Sequence, residues 1–319
     1  MKRNVKILAT GGTIAGVANS ATDTTNYAAG TLGIDKLIDA VPEIKNFANV
    51  GGEQICNIDS KDITEKIWLK LANRINELLA DVDGIVITHG TDTLEETAYF
   101  LNLTVKSDKP VILTGAMRPA TAISADGAMN LLNAVKVAAN QNSVGKGVLV
   151  VMNDEIHAAR EVTKIHTLNV AAFNSREFGL LGCVNNGVPE FYRTSTRKHT
   201  GNSEFSVNGL KALPYVKIIY GHACDDGLFV AAAINAGVKG IICAGMGNGS
   251  INANVEEILI RAAENIAVVR SSRCGGSIVA NKNFVDGDNL TPQKARILLQ
   301  LALTKTNDRY EVQRMFKQY

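Results

Sequence analysis

The chain has 319 residues, a length at which two domains are the usual arrangement. Its 33 basic and 31 acidic side chains leave a formal net charge of +2, which disfavours nucleic acid and anionic membranes as partners because binders of either carry a clustered basic excess. Apolar residues make up 46% and charged residues 20%, a balance that excludes disorder as the main state. No apolar run is long enough to cross a bilayer, so we expect no membrane partner.

The start of the chain lacks the apolar core of a secretory signal, since its short apolar stretch, 5–9, is broken by Lys6. We therefore expect a cytoplasmic protein, with a periplasmic location as the alternative if a signal has been removed. The five cysteines are widely spaced and form no C-x-x-C pair. They predict free thiols, most of them buried, rather than a disulfide framework or a zinc site.

Strands alternate with helices through the first half of the chain. Short apolar runs predict strands at 5–9, 84–88, 110–114 and 147–152. Apolar residues at three- and four-residue spacing predict helices over 62–80, 92–104 and 125–141. This alternation predicts right-handed crossovers and a mostly parallel sheet covered by helices, with short extended pieces from 154 to 193.

A polar stretch without periodicity, 194–213, predicts a linker between two domains. The strands predicted after it are 215–220, 239–244 and 266–270. The helices predicted after it are 226–236, 253–264, 292–303 and 308–317. The expected fold class is therefore α/β, with a larger N-terminal domain over 1–193, which carries the motifs below, and a smaller C-terminal α/β domain over 214–319.

Glycine, hydroxyl and acidic residues directly follow three of the predicted strands. They form the stretches Thr10–Gly16, His89–Glu96 and Gly115–Pro119. Ligands of open α/β sheets bind beyond the carboxyl ends of the strands, so these loops are the candidate site. Together they predict a site with a nucleophile and hydrogen-bond donors.

The same stretches do not predict a cofactor or a metal. The first lacks the Gly-Lys-Ser/Thr ending of a phosphate-binding loop, and the stretch 245–249 matches a dinucleotide motif only in part. The five histidines have no metal-ligand spacing. We therefore expect neither a cofactor nor a metal.

Several acidic and basic residues have a purely structural interpretation. The D-x-x-E spacing of Asp92 and Glu95 by itself favours a helix cap over a catalytic role. Asp126 is likewise interpreted as a cap of the next helix. Lys164 lies in an irregular segment, where a lysine is ordinarily solvated, but one buried beside Thr91 and Asp92 could accept a proton.

Two long motifs stand in order near the start of the chain. They are Thr10-Gly11-Gly12-Thr13-Ile14-Ala15-Gly16 and Ile87-Thr88-His89-Gly90-Thr91-Asp92-Thr93-Leu94-Glu95-Glu96-Thr97-Ala98. They resemble the two signatures of bacterial L-asparaginases, most closely those of the type II class, and the likeness extends over nearly the whole chain. The resemblance implies hydrolysis of L-asparagine to L-aspartate and ammonia through a threonine-linked β-aspartyl enzyme, without metal or cofactor.

The resemblance also implies roles for individual residues. Thr13 matches the nucleophile and Tyr27 the tyrosine that supports its attack, while Lys164 completes a group with Thr91 and Asp92. Ser60 would hold the α-carboxylate of the substrate, and Asp92 would hold its ammonium group. The backbone N–H groups of Thr91 and Ala116 would stabilise the oxyanion. The substrate-binding residues are Gly12, Ser60, Gly90, Thr91, Asp92, Ala116 and Ser250.

Three positions depart from the family's pattern. Family members often carry asparagine where this chain has Ser250 and glutamine where it has Lys61. They also often bring a glutamate from the second domain, whereas the segment 274–290 contains only Asp286 and Asp288 as acidic residues. We expect these changes to favour asparagine over glutamine as substrate; which residue replaces the glutamate is left open.

The resemblance further implies a homotetramer in which the second domain of a partner subunit completes each active site. Two other functions stay open on the sequence alone: a glutaminase-asparaginase of broad specificity, and a non-enzymatic amino-acid-binding protein with a cleft between two α/β domains. The amidase subunit of a tRNA-dependent amidotransferase is disfavoured, because that subunit has an extra domain before the first motif and only nine residues precede Thr10.

Overall fold

A computed structural model describes residues 2–319, which divide into two compact units, the first ending at Gly209 and the second being Leu210–Tyr319. The division falls within the stretch 194–213 for which a linker was predicted. Residues 194–209 belong to the first unit, where Thr200–Asn202 forms a short 3-10 helix and Phe205 is buried. Each unit contains a mostly parallel sheet with helices, so the predicted α/β class is confirmed.

The elements of the first unit alternate as predicted for a parallel sheet. Its strands are β1 (Arg3–Gly11), β2 (Val17–Ala18), β3 (Tyr27–Ala28), β4 (Ala48–Ile58), β5 (Gly84–Thr88), β6 (Val111–Thr114), β7 (Val148–Met152), β8 (Glu155–Ala158), β9 (Thr163–Lys164), β10 (Phe173–Asn174), β11 (Gly182–Asn185) and β12 (Val188–Phe191). Its α-helices are α1 (Ile34–Asp39), α2 (Ile44–Phe47), α3 (Glu65–Leu78), α4 (Leu94–Thr104) and α5 (Gly127–Ala138).

Eight of these strands form one sheet in the order β12-β11-β8-β7-β6-β5-β1-β4. The strands from β4 to β7 pair in parallel, and the strands from β7 to β12 pair antiparallel. All five residues of β5 are buried, which is typical of a parallel strand covered on both faces. The core includes Ile7, Val86, Ile112 and Leu149, none of them exposed to solvent. The parallel half of the sheet thus gives five strands whose carboxyl ends share one edge.

Helix α3 begins later than predicted, at Glu65 rather than 62, because residues 60–62 form a separate 3-10 turn. The Thr64 hydroxyl accepts a hydrogen bond from the Ile67 N–H at 3.4 Å and so caps the helix. Ser60 begins this 3-10 turn, two residues after β4 ends at Ile58.

The second unit is a smaller α/β layer. Its strands are β13 (Val216–Tyr220), β14 (Gly240–Gly245), β15 (Ala267–Ser272) and β16 (Val285–Asp286), parallel and in that order. Its helices are α6 (Leu228–Asn235), α7 (Ala253–Ala262), α8 (Pro292–Ala302) and α9 (Arg309–Gln318). Pro292 stands at the first position of α8, as predicted.

The cysteines are free, as predicted, but most of them are not buried: among the five, only Cys243 is fully buried, and Cys224 and Cys274 are exposed. Apolar and glycine-rich neighbours in sequence therefore did not indicate burial, because loops of the second unit carry these residues to its surface. Within residues 2–319, no helix combines the length and the apolar character that a bilayer span requires.

Candidate active site

The loops that follow β4, β1 and β5 begin side by side at one edge of the large sheet. Gly11 pairs with Ile58 across β1 and β4, and Ala9 pairs with Thr88 across β1 and β5. Because these strands are parallel, the residues that follow them leave the sheet at the same edge. The two motif loops therefore meet there, together with the loop that begins at Asp59.

A cavity of about 230 Å³ opens at this edge, with polar and charged side chains on its walls. Six residues singled out in the sequence line it: Thr13, Tyr27, Ser60, Thr91, Asp92 and Lys164. They come from five separate segments of the first unit, which only the fold brings together. The cavity is the candidate active site.

Thr13 directly follows β1 and begins a 3-10 turn. Its side-chain oxygen lies 2.7 Å from the phenol oxygen of Tyr27, within hydrogen-bond distance. Tyr27 is placed by a two-stranded ribbon in which it pairs with Ala18. Gly16 admits the phenol ring, because an added Cβ at this position would lie 2.8 Å from a ring carbon of Tyr27. Thr13 itself is only 7% exposed, so its hydroxyl faces the cavity from a largely buried position.

Lys164 supplies the cavity's ammonium group. Its Nζ donates to the Thr91 hydroxyl at 2.9 Å and lies 2.6 Å from the Asp92 carboxylate. The lysine side chain is 17% exposed and the Asp92 side chain 60%, so the ammonium is largely buried while the carboxylate stays open to the cavity. The expectation that Lys164 lies beside Thr91 and Asp92, rather than in free solvent, agrees with the structure.

The cap interpretation of Asp92 and Glu95 is wrong. The N-cap residue of α4 is Thr93 rather than Asp92, and the Thr93 side chain makes no cap hydrogen bond. The Asp92 carboxylate binds Lys164 instead, and the Glu95 carboxylate accepts hydrogen bonds from Thr163 and Lys164. The D-x-x-E spacing is compatible with either arrangement, and the partners that decide between them are about seventy residues away in the sequence.

Ser60 joins the loop after β4 to the loop after β5. Its hydroxyl accepts a hydrogen bond from the Asp92 N–H at 3.2 Å, and its carbonyl accepts one from the Thr93 hydroxyl at 2.8 Å. Gly90 makes this approach possible, because a Cβ there would lie 2.6 Å from the Ser60 hydroxyl oxygen. Ser60 is therefore held with its hydroxyl at the cavity wall.

The loop after β6 contributes Met117 to the cavity, while Ala116 is fully buried beside it. Asp126 holds this loop by accepting hydrogen bonds from the N–H groups of Met117 and Arg118 at 2.9 and 3.0 Å. Asp126 is thus in the N-cap position of α5, but its side chain does not cap that helix, contrary to the prediction. Its carboxylate positions the loop.

Two backbone donors beside the cavity have no protein acceptor. Within the part of the chain that the structure describes, the N–H groups of Thr91 and Ala116 donate to no other protein group. Unpaired N–H groups in a site of this kind are suited to bind a negatively charged oxygen of a ligand. These are the two residues from which the sequence analysis expected such donors.

His89 is completely buried behind the Gly90–Asp92 turn. Its Nδ1 lies 2.7 Å from the Gly90 carbonyl oxygen, and its Nε2 lies 2.9 Å from the Thr97 hydroxyl, to which the Trp68 indole N–H donates at 2.8 Å. A neutral imidazole with its proton on Nδ1 satisfies every group in this chain. Burial lowers the pKa of His89 to about 4, so the ring is uncharged at neutral pH.

Asp286, one of the two acidic residues of the segment 274–290, does not supply a free carboxylate. Asp286 is 5% exposed, lies 3.4 Å from the Arg270 guanidinium and accepts a hydrogen bond from the Asn281 N–H. Ser250 closes the turn that begins at Met246, through a pair of backbone hydrogen bonds. Asp286 is therefore committed to internal contacts of its own unit.

Several cavity residues were not predicted: Thr24, Thr25, Asp59, Thr167 and Leu168. Asp59 could have been found from the sequence, since it directly precedes the predicted Ser60. In the structure its carboxylate pairs with Lys61 at 3.0 Å. The threonines and Leu168 lie in loops without periodicity, where the sequence offers no such signal.

Within residues 2–319, no group of three His, Cys, Asp or Glu side chains is arranged to hold a metal ion.

Comparisons with known proteins agree with the motifs. Residues 4–197 match the family model "Asparaginase, N-terminal", and residues 215–316 match "Glutaminase/Asparaginase C-terminal domain". The chain is 55% identical to L-asparaginase 2 of Bacillus subtilis, over 99% of this chain and 86% of that protein. It is 48% identical to a glutaminase-asparaginase of Pseudomonas fluorescens, over 99% of this chain and 90% of that protein. The chain also matches the crystal structure of a probable cytoplasmic L-asparaginase from Campylobacter jejuni, with a TM-score of 0.98 and 50% identity. The match covers 100% of each of the two chains.

The buried His89 predicts a pH dependence of stability. The unfolded chain protonates this histidine near pH 6.5, whereas the folded protein does so only near pH 4. Between these values the unfolded state binds the extra proton, so the free energy of unfolding should fall as the pH is lowered through this window, by up to roughly 1.4 kcal/mol per pH unit. Urea unfolding at several pH values measures this slope.

The variant for this test is His89→Asn, whose amide can still donate to the Gly90 carbonyl but cannot titrate. We expect it to be less stable at pH 7 and to show a shallower slope between pH 6.5 and 4. His166→Asn, a substitution of an exposed histidine, is the control and should keep the wild-type slope. Equal slopes in wild-type and His89→Asn proteins would contradict the prediction.

Proposed function

The chain belongs to the asparaginase family, and from this premise we propose that its active site hydrolyses L-asparagine to L-aspartate and ammonia. One observation carries the proposal. A single cavity contains a threonine hydroxyl paired with a phenol and a second threonine hydroxyl paired with an ammonium and a carboxylate. A non-enzymatic binding protein needs polar groups but no such activated hydroxyls, so that alternative is set aside.

In the first step the Thr13 hydroxyl oxygen attacks the side-chain amide carbon of asparagine. A threonine hydroxyl is a weak nucleophile unless a positioned partner takes its proton, and the Tyr27 phenol oxygen at 2.7 Å is that partner. The proton passes through Tyr27 to the amide nitrogen as the carbon–nitrogen bond breaks. Ammonia leaves, and a β-aspartyl ester of Thr13 remains.

The negative oxygen of the tetrahedral intermediate needs donors that are already in place. The unpaired N–H groups of Thr91 and Ala116 serve this role in our proposal. One such donor typically contributes about 10²–10³-fold in rate, roughly 2.7–4 kcal/mol. Because both are backbone groups on loops that other residues hold, they cost little reorganisation when the charge develops.

In the second step water attacks the ester carbon, the bond to the Thr13 oxygen breaks, and that oxygen recovers a proton from the water. The Thr91 hydroxyl and the Lys164 ammonium, 2.9 Å apart, orient this water and stabilise the charge that develops. Substrate is held by its two ends. The Ser60 hydroxyl binds the α-carboxylate, and the second oxygen of the Asp92 carboxylate binds the α-ammonium.

Replacement of the nucleophile tests the mechanism. We expect Thr13→Ala to lower kcat for asparagine by at least about 10³-fold, the scale seen when a nucleophile is removed, with little change in stability. Acid-quenched turnover followed by peptide mass spectrometry should find an aspartyl adduct on the peptide that contains Thr13. Thr91→Val should also lose activity, but the adduct should never map to residue 91. Turnover without an adduct at residue 13 would overturn the assignment.

A second candidate function is a glutaminase-asparaginase, the name of one relative. The buried, ion-paired Asp286 favours the narrower activity, because it does not replace the carboxylate that family members often bring from the second domain. Glutamine is one methylene longer than asparagine, and a pocket fitted to the shorter side chain typically discriminates by about 10–200-fold. We expect kcat/KM for asparagine to exceed that for glutamine within this range. Comparable values for the two amides would refute this specificity.

We also propose a homotetramer whose active sites are completed at subunit interfaces. The surface of the second unit supports self-association. Helix α6 is almost entirely apolar, yet only Val230 is buried, and Leu228 and Phe229 are 64% and 67% exposed. The edge strand β13 adds the exposed Tyr220. A cytoplasmic location is part of this proposal, supported by the structural relative from Campylobacter jejuni, which is named a probable cytoplasmic L-asparaginase.

A charge on this surface should dissociate the assembly. We expect Phe229→Glu to shift the protein to smaller species in light scattering and to lower asparaginase activity in parallel, since an isolated subunit lacks a finished site. Tyr310→Glu, at a side chain 82% exposed in another helix, is the control and should change neither. Full activity in a dissociated Phe229→Glu protein would contradict the shared-site proposal.

A further inference from the structure

A buried carboxylate outside the cavity is bonded to the segment that carries Lys164. Glu95 lies in the first turn of α4 and is only 4% exposed. One of its oxygens, Oε2, accepts a hydrogen bond from the Thr163 hydroxyl and another from the Lys164 N–H, both at 2.6 Å. Both distances are short, as expected of bonds to a charged acceptor.

The segment that receives these bonds is not part of the large sheet. Thr163 and Lys164 form β9, which pairs only with the two-residue strand β10 among the described residues. A ladder of two residue pairs fixes position much less than the eight-stranded sheet does. The bonds from Glu95 therefore attach the Lys164 backbone to the α4 end of the active site.

The two ends of Lys164 are bound to one short stretch of chain. Its N–H binds Glu95, while its Nζ binds the Thr91 hydroxyl and the Asp92 carboxylate, which lie four and three residues before Glu95. A free lysine side chain samples many rotamers, and ordering it costs up to about 2 kcal/mol. Because the Lys164 backbone is fixed relative to residues 91–95, its side chain places the ammonium at both acceptors from a single backbone position.

We infer that Glu95 is a positioning residue for the hydrolysis: its Oε2 sets the backbone of Lys164 so that the ammonium meets Thr91 and Asp92. This inference rests on the proposed function for its kinetic consequence, but the geometry it claims can be measured without turnover. In this role the position of the Glu95 oxygen is what matters, and its negative charge is not. Variants that move the oxygen and variants that only neutralise it should therefore differ.

Two conservative substitutions separate position from charge. Glu95→Gln keeps an oxygen at the same reach, and one amide oxygen can accept both hydrogen bonds. Glu95→Asp keeps the charge but withdraws the oxygen by one methylene. We expect Glu95→Asp to lower kcat for asparagine by about 10²-fold, the cost of a misplacement of roughly 1 Å, with KM changed less than threefold. Glu95→Gln should stay within about tenfold of wild type, since the bonds persist but weaken.

Thr163→Val and Glu65→Gln are the controls. Thr163→Val removes one of the two donors and leaves the Lys164 N–H bond, so its kcat should stay within about fivefold of wild type. Glu65 is an acidic residue in the first turn of α3, as Glu95 is in α4. Glu65→Gln therefore reproduces the loss of charge at a helix N-terminus and should leave kcat and KM unchanged.

The readout that does not depend on activity is acetylation of lysines by acetic anhydride, followed by mass spectrometry. Lys164 is 17% exposed and Lys61 is 68% exposed, so Lys61 is an internal reference. We expect Glu95→Asp to raise the labelling rate of Lys164 relative to Lys61 by at least fivefold, and Glu95→Gln to leave the ratio within twofold. A purely structural role would lower the unfolding midpoint without changing this ratio.

The outcomes are separable from those of the proposed function. If wild-type protein releases no ammonia from asparagine, the proposed function fails, while the labelling ratio still tests the position of Lys164. If wild-type protein is active but Glu95→Asp keeps kcat within threefold and an unchanged labelling ratio, the positioning role is wrong. If Glu95→Gln is as inactive as Glu95→Asp with an unchanged ratio, the carboxylate acts through its charge, and the inference is likewise overturned.

Discussion

The active site depends on a close contact between the backbones of two loops, at a place where no side chain would fit. Gly12 has a positive φ of 80°, and a Cβ built on it would lie 2.4 Å from both the Cα and the N of Gly90. Backbone therefore touches backbone, which brings Thr13 and Thr91 to the same cavity. Any side chain at residue 12 would separate the loops, and the distances on which the chemistry relies would be lost.

The loop that contains Gly90 is held by a chain of buried hydrogen bonds whose donors and acceptors have fixed roles. The Gly90 carbonyl beside Nδ1 can only accept, so the neutral ring leaves Nε2 to accept from the Thr97 hydroxyl, which itself accepts from the Trp68 indole N–H. His89 must then carry its proton on Nδ1, which is directed at the Gly90 carbonyl. Burial keeps the ring neutral, as its lowered pKa indicates, and so keeps this direction of donation at working pH.

The sequence was most informative where the signal is local. Pro292 indicated the start of a helix over 292–303, and the helix is found at Pro292–Ala302, because proline fixes a helical φ at the first position, although the Thr291 side chain before it makes no cap hydrogen bond. Strand β4 was not predicted, since it is the edge of the sheet and its exposed glycine and polar residues break the apolar run. The partners of Asp92 and Glu95 were also beyond reach, because Lys164 meets them only through the fold.

The carboxylates of the site divide into two classes by what they bind. Asp92 lies in the cavity with its side chain 60% exposed, and it is available to a ligand. Glu95 and Asp126 lie outside the cavity: Glu95 accepts the backbone N–H of Lys164 in β9, and Asp126 accepts two backbone N–H groups of the loop after β6. Both stand at the start of a helix, where the macrodipole favours a negative charge. The helices therefore stabilise acceptors that fix the loops before substrate binds, which is the preorganisation that electrostatic catalysis requires.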